Sequence, residues 1–150
     1  MSRLPRILLV ACLLSSSCGL GGRRVINAYP GPTRAEEQLT TLDVEVNTGV
    51  MIDDNNRFQC TSKSPEAKCR FLLVPGTHKL LIWYADENTR SKDARPFKLN
   101  MPAGRSYEIS ASPVLTLDDW AVFVFNTTDE HSRLIYSDRD QHCKACPPIQ

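Results

Sequence analysis

The chain has 150 residues, enough for one domain of average size with short extensions. Hydrophobic residues make up 41% and charged residues 23%, a composition that excludes an intrinsically disordered chain. Eighteen Lys and Arg against 17 Asp and Glu leave a net charge of +1. The basic excess typical of nucleic-acid-binding proteins is missing, so we expect no nucleic-acid partner.

The first 17 residues have the three parts of an export signal. Arg3 and Arg6 make a positive start, residues 7–14 are apolar, and residues 15–17 are small serines. The apolar stretch is shorter than the roughly 18 residues that a membrane-spanning helix needs. We therefore expect residues 1–17 to be a signal peptide that is removed on export.

A cysteine follows this signal, as in bacterial lipoprotein signals, which the segment resembles. If the signal is cleaved before Cys18, its apolar core has a workable length. Cys12 follows a better lipobox, but cleavage there would give the signal a very short apolar core. We favour Cys18 as the lipidated residue; ordinary cleavage near Ser17 is the alternative. Gly19 follows where an Asp would retain a lipoprotein in the inner membrane, which indicates an exported outer-membrane lipoprotein. An acylated cysteine would hold the protein on the membrane.

The segment after the anchor predicts a tether and then a short helical turn. Residues 18–28 are taken as the lipidated tether, and residues 29–32 as a rigid turn. Thr33 and Glu36 have capping-box spacing, with Pro32 just before them, which predicts one helical turn across residues 33–38. Nothing later in the chain favours a long amphipathic helix.

The rest of the chain reads as short strands separated by turns. Apolar residues alternate with polar ones across residues 41–47, 97–101 and 106–112, the period-two pattern of half-buried strands. Two further stretches, residues 80–84 and 121–125, are apolar on both faces, which suits central strands. Residues 50–52, 71–74 and 134–136 complete the set.

This spacing predicts an all-β domain over residues 29–137. We expect an antiparallel β-sandwich of about seven or eight short strands with one short N-terminal helical turn, followed by a Cys- and Pro-containing tail at residues 138–150. The predicted core consists of ten residues: Leu42, Val44, Phe71, Leu80, Ile82, Leu99, Tyr107, Ile109, Phe123 and Phe125.

Four cysteines remain after the signal and anchor, and an even number in an exported protein predicts disulfides. We favour Cys60–Cys69, which would close a polar loop, together with Cys143–Cys146; the crossed pairings stay open. Cys143 and Cys146 also have the CxxC spacing of thiol–disulfide exchange sites and metal knuckles. A tail disulfide is favoured because zinc would lack a fourth ligand and no strand–helix frame precedes the motif.

Three short motifs resemble small bacterial envelope lipoproteins of unclear function. They are Tyr29-Pro30-Gly31-Pro32, Pro75-Gly76-Thr77-His78 and Ala103-Gly104-Arg105-Ser106-Tyr107, with Trp120 opening the following strand. The Pro-Gly-x-His segment is also similar to a hairpin of PEGA-type surface modules, which are small β-sandwiches. The resemblance covers about residues 29–125 and implies a non-enzymatic module that faces the cell envelope.

We find no motif for catalysis, phosphate binding or metal binding, and we expect no cofactor. The sequence predicts a membrane-anchored structural or partner-binding module whose partner is an envelope protein or polymer. A carbohydrate-binding module is one alternative, with a candidate binding surface of Trp83, Tyr84, Tyr107 and Trp120, although such residues also fill cores. A periplasmic thiol–disulfide protein that uses Cys143 and Cys146 is the other.

Overall fold

The described part of the chain folds into two β-sheets with almost no helix. The structure, a computed structural model, describes residues 23–116 and 119–139. Ten strands lie in this part of the chain: β1 (Arg24–Asn27), β2 (Thr40–Val44), β3 (Thr48–Ile52), β4 (Asn55–Ser62), β5 (Cys69–Leu73), β6 (Gly76–Tyr84), β7 (Arg95–Met101), β8 (Ser106–Thr116), β9 (Asp119–Asn126) and β10 (Arg133–Ser137). The all-β prediction is confirmed.

Two single 3₁₀ turns lie within the described residues. The first, Glu36–Gln38, lies within the predicted helical turn, but Ala35 stands at its N-cap and makes no side-chain hydrogen bond. The capping box expected from Thr33 is therefore not formed. The second turn, Pro65–Ala67, lies in the loop between Cys60 and Cys69.

The larger sheet has six strands in the order β1-β5-β2-β8-β9-β10, and the smaller sheet has four in the order β4-β3-β6-β7. The small sheet is antiparallel throughout. In the large sheet β1 runs parallel to β5, and β2 runs parallel to β8. The expectation of a purely antiparallel fold is therefore wrong for the large sheet. Its parallel pairs join strands that are distant in the chain, which local turns cannot reveal.

The inner faces of the two sheets share one hydrophobic core. Its largest fully buried side chains come from both sheets: Phe71, Leu42, Ile52, Leu73, Leu80, Ile82, Met101 and Ile109. Thr48 connects the sheets directly, because its hydroxyl in β3 accepts a hydrogen bond from the backbone amide of Ala111 in β8 (2.8 Å). Burying apolar side chains of this size contributes roughly 1.5–3 kcal/mol each before the entropy cost.

The predicted core is correct except on β9. Eight of its ten members belong to the core cluster, but Phe123 and Phe125 do not. Trp120, Val122 and Val124 face the core instead. Because β9 is apolar on both faces, the period-two pattern carried no information about which face is buried.

The ends of the folded part differ from the predicted boundaries. Residues 24–27 form β1, although we expected them in the tether, and Ala28 is buried. At the other end Asp138 is buried, although we assigned it to the tail.

Candidate functional site

The four aromatic residues predicted as a binding surface are buried. Trp83, Tyr84, Tyr107 and Trp120 keep between 3% and 5% of their surface exposed. A glycan-stacking surface needs open ring faces, so these four residues do not form one. Tyr84 is instead a buried aromatic residue whose polar end has a partner, because its hydroxyl donates to Asp86 (3.0 Å). Burial raises the pKa of Tyr84.

Trp83 lies on the outer face of the small sheet and is held between two neighbours. Gly49, its cross-strand partner on β3, lies so close that a Cβ added there would stand 2.0 Å from indole atoms Cε2 and Nε1. The guanidinium of Arg90 lies over the indole of Trp83, 4.6 Å from the ring centroid. The glycine therefore makes the space in which the indole packs flat against the strand.

The disulfide between Cys60 and Cys69 is present and connects the two sheets. Cys60 lies in β4, the edge strand of the small sheet, and Cys69 opens β5 in the large sheet. Their Cα atoms are 6.5 Å apart, and both residues are buried. The favoured pairing of these two cysteines is confirmed, and the bond acts as a covalent staple across the core.

An ion pair between a half-buried arginine and a buried aspartate also joins the sheets. Arg95, at the start of β7, donates to the carboxylate of Asp138 just after β10 (2.7 Å), and its guanidinium lies 3.9 Å from the ring centroid of Trp120. The other carboxylate oxygen of Asp138 accepts the backbone amide of Val122 (2.6 Å). Sequence patterns could not find this cluster, because its members come from three separate strands or loops.

A network of charges covers one half of the large sheet's outer face. Asp43 is bonded by Arg23 and by Arg70, which reaches it through two nitrogens at 2.7 and 2.8 Å. Glu45 is bonded by Lys68. Glu108 stands beside Asp43 in the register of β2 and β8. Burial, followed by the nearby charge of Glu45, raises the pKa of the Glu108 carboxyl.

Beside this network, the outer face carries a small apolar group on its last two strands, which we call the β9–β10 patch. Phe123 and Phe125 of β9 lie on it, with Leu134 paired opposite Phe125 on β10. Ile135, at an irregularity of the register, is 44% exposed. The hydrophobic pattern of β9 did not predict this surface, because it favoured both phenylalanines as core residues.

His78 of the Pro-Gly-x-His motif closes the turn that precedes it. Its ring Nε2 lies 2.8 Å from the carbonyl oxygen of Val74, and Nδ1 lies 2.7 Å from the carboxylate of Asp53. Asp53 adopts a positive φ of 52° in the turn between β3 and β4, and it also accepts the backbone amide of Lys79 (2.9 Å). The histidine thus ties two turns together at one end of the small sheet.

An open cleft of about 280 Å³ lies beside the first 3₁₀ turn, where β2 begins and β7 leads into β8. Its lining is mostly polar and consists of Glu36, Glu37, Leu39, Thr41, Gly104, Arg105 and Ser106.

Within residues 23–116 and 119–139, no group of three or more His, Cys, Asp and Glu side chains is placed to hold a metal ion. The same residues include no helix that is long and apolar enough to cross a membrane.

Three cysteine predictions lie outside the described residues. They are the lipidation at Cys18 and the pairing or redox use of Cys143 and Cys146.

No protein-family model, curated protein or solved structure matches the chain. The resemblance to envelope lipoproteins and PEGA-type modules therefore stays a prediction.

Proposed function

We propose that this chain is a non-enzymatic outer-membrane lipoprotein, a disulfide-stapled β-sandwich module held on the membrane by an acylated Cys18. Its role is to hold an envelope protein or polymer near the membrane. The observation that carries the proposal is the position of β1. This strand starts at Arg24, six residues after Cys18, so the folded part begins almost at the anchor.

The disulfide supports export, because structural disulfides persist in oxidising compartments and are rare in the cytosol. Cys60 and Cys69 join edge strand β4 to strand β5 in a domain with a modest core. The short first strand supports anchoring in a second way. Arg23 bonds Asp43 and Glu45, so the segment next to the tether is fastened to the sheet by charge as well as by backbone pairing.

The β9–β10 patch is the surface that fits a partner best. It places Phe123, Phe125 and Leu134 on the outer face of the sheet, outside the core, with the exposed Ile135 next to Leu134 on the edge strand. Apolar side chains grouped on a surface are typical of protein–protein contacts, with aromatic residues enriched at their centres. The charge network beside the patch supplies a polar rim.

The anchor is tested by two matched variants. The protein purified from the membrane fraction of its host should have an intact mass that begins at Cys18 and includes acyl chains. Cys18→Ala should remove the acyl mass and release the chain from the membrane, whereas Cys12→Ala should change neither. An unacylated mass in the wild type, or acylation that survives Cys18→Ala, would contradict the proposed anchor.

The partner surface is tested by photo-cross-linking in cells. A photo-reactive residue at Ile135 should give a defined cross-linked product, and the same residue at the exposed loop position Asn88 should not. Phe125→Ser should weaken the product from Ile135 while circular dichroism shows an unchanged fold. Equal products from both positions, or no effect of Phe125→Ser, would refute the β9–β10 patch as the contact surface.

A further inference from the structure

The outer face of the small sheet carries an apolar row. Met51 of β3 stands opposite Leu81 of β6, which stands opposite Pro96 of β7, so the three side chains cross the sheet in register. Met51 and Leu81 are half-buried, and Pro96 is exposed. Trp83, with Arg90 stacked on it, lies in the next row.

Positive charge surrounds this row without negative charge on the same strands. The strands β3, β4, β6 and β7 contain no Asp or Glu, but they contain Arg57, Lys79, Arg95 and Lys98. Arg95 forms the ion pair with Asp138 that was described above. Arg57, Lys79 and Lys98 are exposed.

Lys79 and Lys98 stand directly opposite each other in the register of β6 and β7. Like charges in this position are destabilising. Lys79 is relieved by Asp54 in the neighbouring turn (2.8 Å), whereas Lys98, within the described residues, has no ion pair. The guanidinium of Arg90 is likewise without an acidic partner in this part of the chain, since it stacks on Trp83. The face therefore has uncompensated positive charge, although the whole chain is nearly neutral.

The proposed anchor lies within reach of this face. Arg24 pairs with Cys69, and the disulfide joins Cys69 to Cys60 on β4, the edge strand of the small sheet. The chain thus enters the fold at the edge where the two sheets are stapled together. Four residues, 19–22, separate Cys18 from the described part, so the distance from Cys18 to Arg23 is at most about 17 Å when this segment is extended. That length allows a bilayer holding Cys18 to contact the outer face of the small sheet.

We propose that the outer face of the small sheet docks on anionic phospholipid of the membrane that carries the anchor. Lys98, Arg57 and Arg90 contact lipid phosphates, and the row of Met51, Leu81 and Pro96 settles at the headgroup level. The proposal rests on the anchoring proposed above. It orients the protein so that the β9–β10 patch, on the large sheet, faces away from the lipid and stays open to a partner.

Each basic residue near an anionic bilayer contributes about a fivefold preference for the docked orientation. Lysine labelling reports this orientation. The full chain from its host is reconstituted in phosphatidylcholine vesicles with and without phosphatidylglycerol and treated with an impermeant amine reagent. Mass spectrometry then gives the labelling rates of Lys98 on the small sheet and of the lysine that Arg133→Lys places on β10 of the large one. We expect Lys98 labelling to slow severalfold when phosphatidylglycerol is present and to recover in high salt, with the rate at position 133 unchanged.

A pair of charge-reversal variants with the same net charge separates docking from a general charge effect. Lys98→Glu should cancel the phosphatidylglycerol-dependent protection of Lys79, whereas Arg133→Glu on β10 of the large sheet should leave it intact. Lys98 labelled equally on both vesicles, with the protein still floating with them, overturns the docking and leaves the anchor standing. A chain that floats with neither vesicle refutes the anchor and the docking together. Protection of Lys98 by soluble polyglutamate alone overturns the proposal in favour of an acidic protein.

Discussion

Replacing Gly49 with alanine tests the packing of the small sheet's outer face. A Cβ at this position would lie 2.0 Å from Cε2 and Nε1 of Trp83 and 2.5 Å from Cζ2. Contacting carbon atoms stay about 3.5–4.0 Å apart, so the indole would have to retreat by about 1.5 Å. Its other side is covered by the guanidinium of Arg90, 4.6 Å from the ring centroid. The alanine can therefore be accommodated only if the indole leaves its place.

Whether Gly49→Ala lowers or raises the free energy of unfolding depends on the presence of Trp83. With Trp83 present, we expect Gly49→Ala to lower the free energy of unfolding by about 1–3 kcal/mol, the usual cost of forcing atoms into a packed site. In a Trp83→Ala background the space is empty, and alanine is favoured over glycine inside a strand by about 0.5–1 kcal/mol. The same substitution should then stabilise the protein. The two values differ by at least about 1.5 kcal/mol, well above the usual error of additivity.

Urea unfolding of the four proteins, followed by circular dichroism with the disulfide intact, measures this coupling. Equal m-values across the set would show that the denatured state is unchanged. A Gly49→Ala penalty of the same size in both backgrounds would refute the reasoning, because the cost would then come from the backbone rather than from the indole.

Three further substitutions report on the cross-sheet contacts and on the desolvated carboxyl. Replacing both Cys60 and Cys69 with serine should lower the free energy of unfolding by about 2–3 kcal/mol, since a short closed loop is released; reduction of the wild type should shift the urea midpoint equally. Asp138→Ala should cost about 3–5 kcal/mol because it leaves Arg95 unpaired in a buried site, and Arg95→Met in that background should recover part of the loss. Glu108→Gln should raise the free energy of unfolding at pH 7 by up to about 0.5 kcal/mol. Because the folded-state pKa of Glu108 is raised, its ionisation opposes folding above that pKa, so the gain should vanish as the pH falls below the unfolded value. A gain from Glu108→Gln that grows towards low pH would contradict the assignment.

Hydrophobic alternation was enough to predict the fold class and most of the core. Strand β2 shows why, because Leu42 and Val44 alternate with polar residues and both prove fully buried. Strand β8 behaves in the same way at Tyr107 and Ile109. In such strands one face carries polar side chains, so the period of the apolar side chains indicates directly which face is inside.

Two edge strands escaped prediction for a related reason. Strand β4 is mostly polar, because its position at the sheet edge leaves it little to bury beyond Phe58, Cys60 and Ser62. Strand β1 has only four residues and pairs with β5, more than forty positions away. Neither strand has a local signal, since backbone pairing with a distant neighbour rather than side-chain burial holds it in place.

The candidate surfaces were the least predictable features, because they depend on strand order. Net charge suggested no charged face, and the strand sequences taken one at a time show no pattern of charge. The fold removes β5, with Arg70, from its chain neighbours and pairs β3, β4, β6 and β7 with one another. These four strands have no acidic residue, and the chain places the acids of this region in the connecting turns: Asp53, Asp54, Glu66, Asp86, Glu87 and Asp93.

Turns lie at the ends of a sheet, so this distribution separates the charges in space without changing their sum. The middle of the small sheet's outer face keeps Lys98 and Lys79, while the acids lie along the rims, where Asp54 bonds Lys79 and Asp86 bonds the hydroxyl of Tyr84. On the large sheet the opposite arrangement holds, because Asp43 and Glu45 stand among their basic partners within the face itself. The two faces therefore differ in the charge that they present to a partner. Charge-reversal variants with the same net charge, one on each sheet, are the direct way to tell those sides apart.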